Sequence, residues 1–113
     1  MARQDRTAKA YAVALLHDVE MGPEIVAYLE GIDETLAPFG GRFIIHGGPV
    51  TELEGTWAGD LIVIEFPDRA AAQGWYASPA YKAILPLRTG HSKGVAILID
   101  GVGEGHAAPD ILG

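Results

Sequence analysis

Glu65 is the residue least expected from its surroundings. It stands inside the apolar run Leu61-Ile-Val-Ile-Glu-Phe66, in phase with Leu61 and Val63. A carboxylate held among apolar neighbours has either a raised pKa or a partner. Glu65 therefore reads as a general base, or as half of a structural ion pair with Arg42 or Arg88, and the pair is the simpler expectation. Arg42 and His46 bracket the segment Arg42-Phe-Ile-Ile-His46 and share one face with Ile44 if that strand is regular. A guanidinium and an imidazole on one face can bind a carboxylate or move a proton, since histidine titrates near neutral pH. The plainer reading is two solvated strand ends. Glu65 and His46 are thus the catalytic candidates. Whether they meet depends on strand register across the connection 47–60, which spacing does not fix.

The ligand-binding candidates are Arg42, Trp57, Trp75, Tyr76, Tyr81 and Arg88. Aromatic side chains wall many small-molecule pockets and bring N–H or O–H groups with them; at helical spacing Trp75 and Tyr81 also suit a core. Arg88 ends a helical segment, where a cation complements the helix dipole; its planar fork also suits an anionic ligand. No metal is expected. There are no cysteines, and no two of the histidines 17, 46, 91 and 106 have helical metal-ligand spacing. No cofactor is expected either: Gly101-Val-Gly-Glu-Gly105 follows a strand but precedes no helix, so it is not a nucleotide loop. A haem held through one histidine is kept as an alternative.

The elements that must position these residues follow from periodicity. Tyr11–Leu16 is a short apolar run, a strand buried on both faces. Gly22-Pro23 opens a helix with Pro at its first position and Glu24 in its first turn. Ile25, Leu29, Ile32 and Leu36 form its apolar face, and Pro38 and Gly40-Gly41 stop it. Arg42–His46 is a second strand, interrupted by Gly47-Gly-Pro49 and continued over Val50–Glu54 as across a bulge. Leu61–Phe66 is the third strand. Asp68 caps a short helix over Arg69–Ala77, Ser78-Pro79 starts another carrying Tyr81, Ile84, Leu85 and Arg88, and Gly94–Asp100 is the last strand. Strand, helix, strand, strand, helix, strand is the split βαβ, ferredoxin-like order of an α+β fold: a four-stranded antiparallel sheet with helices on one face. The domain is expected over residues 9–101. Residues 1–8 are a loose polar leader and 102–113 an irregular tail, flexible or docked through Ile111 and Leu112.

A sheet covered on one side should alternate apolar and polar residues. These strands are apolar in both phases: Val13 and Leu15 alternate with Ala12, Ala14 and Leu16, and Leu61 and Val63 with Ile62, Ile64 and Phe66. One set packs under the helices, and the other needs a cover that 113 residues cannot supply. A homodimer through the sheet face is expected. With 8 Lys+Arg against 15 Asp+Glu, a net charge of −7, nucleic acid and anionic membranes are not expected partners. No apolar run approaches the ~18 residues of a membrane span. The first residues carry charges without an apolar stretch behind them, unlike a secretory signal. A cytoplasmic location is the expectation.

Several segments together carry a family resemblance: Leu36-Ala-Pro-Phe-Gly-Gly-Arg-Phe43, His46-Gly-Gly-Pro49, Glu54-Gly-Thr-Trp57, and Ile64 to Arg88 with Trp75-Tyr-Ala-Ser-Pro-Ala-Tyr81. The chain resembles the bacterial domain of unknown function 1330 family from about Tyr11 to Gly101. The resemblance implies a ferredoxin-like chain in a dimeric α+β barrel. Related barrels include cofactor-independent monooxygenases, isomerases, dehalogenase-type enzymes and haem-handling proteins; the family itself brings no established reaction. The functional expectation is a cofactor-independent enzyme acting on a small organic molecule in a cleft between sheet and helices. The alternatives are a non-catalytic small-ligand binding module and a haem-binding relative.

Overall fold

The computed structural model describes residues 8–113; apart from Ala8, the leader expected over residues 1–8 lies outside them. Strand β1 (Ala10–His17) leads to helix α1 (Pro23–Leu36), a 3-10 turn over Ala37–Phe39, then β2 (Arg42–His46), β3 (Asp60–Phe66), α2 (Arg69–Ala77), α3 (Pro79–Thr89) and β4 (Lys93–Asp100). The helix starts are where the capping residues put them. The Asp68 carboxylate accepts the Ala71 N–H at 2.8 Å, and Ser78 Oγ accepts the Tyr81 N–H at 3.2 Å. Each satisfies a donor that the first turn leaves open. Gly40, at φ 69°, takes the left-handed turn that ends the first helical region.

The strands form one antiparallel sheet in the order β2-β3-β1-β4, the ferredoxin-like arrangement expected from the sequence. Its two faces differ in side-chain size. Toward the helices point Ala10, Ala12 and Ala14 of β1, opposite Phe66, Ile64 and Ile62 of β3 and opposite Asp100, Leu98 and Ala96 of β4. Ile64 and Phe66 enter the core with Tyr28, Ile32, Leu36, Trp75 and Tyr81. The Trp75 indole N–H donates to Thr35 Oγ1 at 2.9 Å, and Thr35 donates to the Ile32 carbonyl at 2.7 Å, so the buried polar atoms there are satisfied. Helix α2, with Ala71, Ala72 and Gly74 on its inner side, sits down on β1, β3 and β4, whereas α1 packs chiefly on α3. A Cβ at Gly74 would come within 3.0 Å of Phe39, which is why a helix-weakening glycine stands there.

The opposite face carries Tyr11, Val13, Leu15, Leu61, Val63 and Glu65, with Val95, Ile97 and Ile99 alongside. Val95, Ile97 and Ile99 are 66%, 52% and 49% exposed. The molecule is 17 Å across its thinnest dimension, one sheet and one helical layer, so among the described residues no third layer covers this face.

Two sequence expectations are corrected. Val50–Glu54 does not continue β2 but lies in an exposed loop. Gly47 and Gly48 adopt φ values of 69° and 107° and swing the chain away, and Pro49 has no N–H for a ladder. Strand β2 itself is irregular: Phe43 opposes Ile64 and Ile45 opposes Val63, leaving Ile44 as a bulge. In the tail, Ala108–Leu112 forms a 3-10 turn, and Ile111 and Leu112 are 83% and 86% exposed.

Candidate functional site

Alanines on the inner face of the sheet leave a gap under α1 and α3. Ala12, Ala14 and Ala96 are too short to reach the helices, and a cleft of about 480 Å³ opens between the layers. That volume lies within the usual range for small-molecule sites, roughly 300–1,000 Å³. Its walls are mostly apolar: Ile62, Ile64, Phe43 and Leu98 below, Ile25, Leu29 and Ile32 above. Val19, Met21, Gly47, Asp60 and Ser92 edge it at the end of the sheet where β1 and β2 finish and β3 and β4 begin.

Few polar groups face this space, and they converge from different elements. Tyr28 of α1 and Tyr81 of α3 meet hydroxyl to hydroxyl at 2.7 Å, both phenols being buried. Burial, reinforced by the adjacent Tyr81, holds the Tyr28 phenol well above the ordinary tyrosine range, so it stays protonated. The half-buried Arg88 guanidinium lies 5.8 Å from the Tyr28 ring centroid. Burial alone would lower its pKa, but the facing Tyr81 and Tyr28 oxygens more than offset that and hold it above the ordinary arginine value. Arg88 forms no ion pair with a carboxylate among the described residues. Trp75 stacks at a tilt on Tyr81, centroids 4.1 Å apart, and Tyr76, with Lys82 above its ring at 4.0 Å, completes that wall.

His46 also reaches the cleft, from the end of β2, lying flat on Phe43 with ring centroids 4.4 Å apart. Arg42 does not. The bulge at Ile44 inserts one residue between them, so Arg42 pairs with Glu65 on the outer face while His46 pairs with Ile62 on the inner one. The shared face expected for Arg42 and His46 required a regular strand and is corrected. Glu65 is likewise outside the cleft. Its carboxylate accepts from Arg42 Nε at 3.1 Å and lies 3.0 Å from Arg42 Nη2, and the Tyr11 hydroxyl reaches it at 3.4 Å. Its side chain is 13% exposed and its partner's 70%. Of its two expected partners it takes Arg42, and the sheet separates it from His46, so no acid–base pair of Glu65 with His46 forms within the protomer. Trp57 lies in the exposed 47–60 loop, its backbone N–H donating to Glu52 at 2.7 Å, away from the cleft.

The sequence reading missed Tyr28. It lies three residues after Ile25 and four before Ile32, on the same helical face, and that spacing is the signal that marks it. Among the described residues no cluster of three His, Asp or Glu is arranged to hold a metal ion, and no helix is long and apolar enough to cross a membrane.

Solved structures share this fold. A protein of unknown function from Rhodopseudomonas palustris is 20% identical, covers 88% of this chain and 85% of its own, and superposes with a TM-score of 0.63. A dimeric ferredoxin-like protein of unknown function from Jannaschia is 18% identical, with 81% and 96% covered and a TM-score of 0.56. Another such dimeric protein, from Thermobifida fusca, is 14% identical, with 81% and 90% covered and a TM-score of 0.54. No curated protein is significantly similar to the chain. The family model that does match spans residues 9–102, nearly all of the four-stranded unit described above, and the chain belongs to that family, described as "Domain of unknown function (DUF1330)".

Proposed function

We propose that the protein works as a homodimer, two outer sheet faces packed together, with each protomer holding a small and mainly apolar organic molecule in the cleft between its sheet and helices. The observation that carries the ligand half is the apolar cleft of about 480 Å³ with a few polar groups converging on it. The dimer half is supported by the uncovered aliphatic face with Val95, Ile97 and Ile99 and by structural neighbours described as dimeric. An aliphatic sheet face left in water is an aggregation hazard, and a second copy of the same face covers it symmetrically.

A cofactor-independent enzyme is the second reading, and His46 favours it. An imidazole at the rim of an apolar cleft has one ring nitrogen to donate and one to accept a proton, the equipment of a general acid or base. Neither reading needs Glu65, whose carboxylate is committed to Arg42 on the other face.

Native mass spectrometry of freshly purified protein, beside a denaturing spectrum, tests both halves. The expected result is a dimer carrying extra non-covalent mass. A monomer at micromolar concentration overturns the dimer. An empty protein that also takes up no 2-naphthamide overturns the cleft as a binding site. A Soret band on adding hemin, lost in His46→Ala, would instead favour the haem-binding alternative.

A further inference from the structure

Arg88, Tyr28 and Tyr81 bring donors to the cleft, which the Asp60 carboxylate, Ser92 and His46 also line. The guanidinium of Arg88 has N–H groups and no acceptor. The Tyr28–Tyr81 contact uses one of the two phenolic protons, since either oxygen serves as donor to the other. The second phenolic proton has no acceptor among the described residues. Acidic residues outnumber basic ones 15 to 8 in this chain, yet none is ion-paired with Arg88 among the described residues. The half-buried Arg88 guanidinium faces the Tyr81 and Tyr28 oxygens but has no paired counter-charge among the described residues, which is costly unless something else supplies the charge.

Resting on the cleft reading above, we propose that the ligand is an organic anion with an apolar body, a carboxylate in the first instance. Its oxygens sit at Arg88 and the free hydroxyl of the Tyr28–Tyr81 pair, and its body lies over the alanines of β1. The complement is chemical at both ends. The planar fork of arginine matches two carboxylate oxygens, and charge-assisted hydrogen bonds of this kind are the strong ones. Trp75 and Tyr76 stand beside Tyr81 in the wall, and Ala12, Ala14 and Ala96 leave the floor low enough for a flat ring system. Because burial keeps Tyr28 protonated, it donates over the whole neutral range and presents no competing negative charge.

Calorimetric titration of the purified protein with 2-naphthoate and its neutral isostere 2-naphthamide separates this inference from the cleft reading. The acid is expected to bind about tenfold or more tightly than the amide, the scale of a hydrogen-bonded charge. In Arg88→Gln that preference should collapse toward unity with amide affinity kept. In Tyr28→Phe, acid binding alone should weaken several-fold. Equal affinity for acid and amide in the unaltered protein overturns the anion proposal and leaves the cleft standing. Binding of neither overturns both. A preference that survives in Arg88→Gln also overturns the proposal, by moving the charge recognition elsewhere. Should Arg88→Gln fail to fold, Arg88→Lys keeps the charge and loses the fork: it should retain a reduced preference for the acid, and an unreduced one overturns the bidentate seat.

Discussion

The same strands build two faces with opposite consequences. On the inner face of β1 stand Ala10, Ala12 and Ala14; on the outer face of the same strand stand Tyr11, Val13 and Leu15. The inner residues are small, so the helices above cannot close on the sheet, and a cleft remains. The outer residues are large and, with Val95, Ile97 and Ile99, form a broad aliphatic surface with no layer over it among the described residues. Emptiness on one side comes from missing volume, and exposure on the other from a missing partner. Both faces of β1 are apolar; on this strand side-chain size separates a ligand site from an association surface.

The largest expected effect breaks the outer face. Ile97→Lys should make the protein monomeric or insoluble, read by light scattering after size-exclusion chromatography. Each buried aliphatic side chain contributes about 1.5–3 kcal/mol and appears twice in a twofold interface, so the dimer should weaken by roughly a hundredfold or more. An unchanged elution mass would mean that this face is not the interface. The inner face is tested by filling it. Ala14→Leu should abolish 2-naphthamide uptake and leave the dimer and the melting temperature nearly unchanged, because the added carbons enter space that is already empty. The neighbouring Leu15→Ala should do the reverse, sparing uptake and weakening association. If both substitutions act on the same property, the division between the faces is wrong.

A smaller effect is expected at the polar spot on the outer face. In an isolated protomer the Arg42–Glu65 pair, with its arginine largely in water, contributes on the order of 0–1 kcal/mol. Covered by a second copy it would be a buried pair, and removing one partner from such a pair costs about 3–5 kcal/mol. Arg42→Ala should therefore lower dimer affinity more than it lowers the unfolding free energy of the dissociated chain, a difference read by denaturation at several protein concentrations.

The smallest effect concerns pH. The Tyr28 pKa is raised by burial and by Tyr81 above its unfolded value near 10. A group that is harder to ionise when folded stabilises the fold fully below the unfolded pKa and stops doing so as pH rises through the folded one. Stability should be flat from pH 7 to 9 and decline above 10, and the decline should be shallower in Tyr28→Phe. Tyr11, raised by burial and then by the Glu65 carboxylate, acts in the same direction. A stability that rises above pH 10 would contradict the assignment.

Much of this architecture was legible from local chemistry. Helix starts at Asp68 and Ser78 follow from side-chain oxygens that cap the next turn, and the apolar stripe of α1 follows from its period. The surplus of apolar residues in both phases of the strands is visible in the sequence, and the expectation of a second cover follows from it. The pairing of Glu65 with a cation followed from the cost of burying a carboxylate alone, and Arg42 was one of its two expected partners. These inferences rest on neighbours within a few residues, where backbone geometry is fixed by the period of the element.

What the tertiary structure alone decided is which polar groups share a space. The bulge at Ile44 arises from the pairing of β2 with a strand some twenty residues further along, and it carries His46 to the face opposite Arg42. Tyr28 and Tyr81 are far apart in sequence and touch because α1 packs on α3. The Gly47–Gly48 turn removes Val50–Glu54 from the sheet altogether. Sequence alone determined the elements and their apolar faces, because propensity and capping act locally. Register, the cleft and its donors depend on which distant segments pair, and a one-residue shift in that pairing turns a side chain from one face of a sheet to the other.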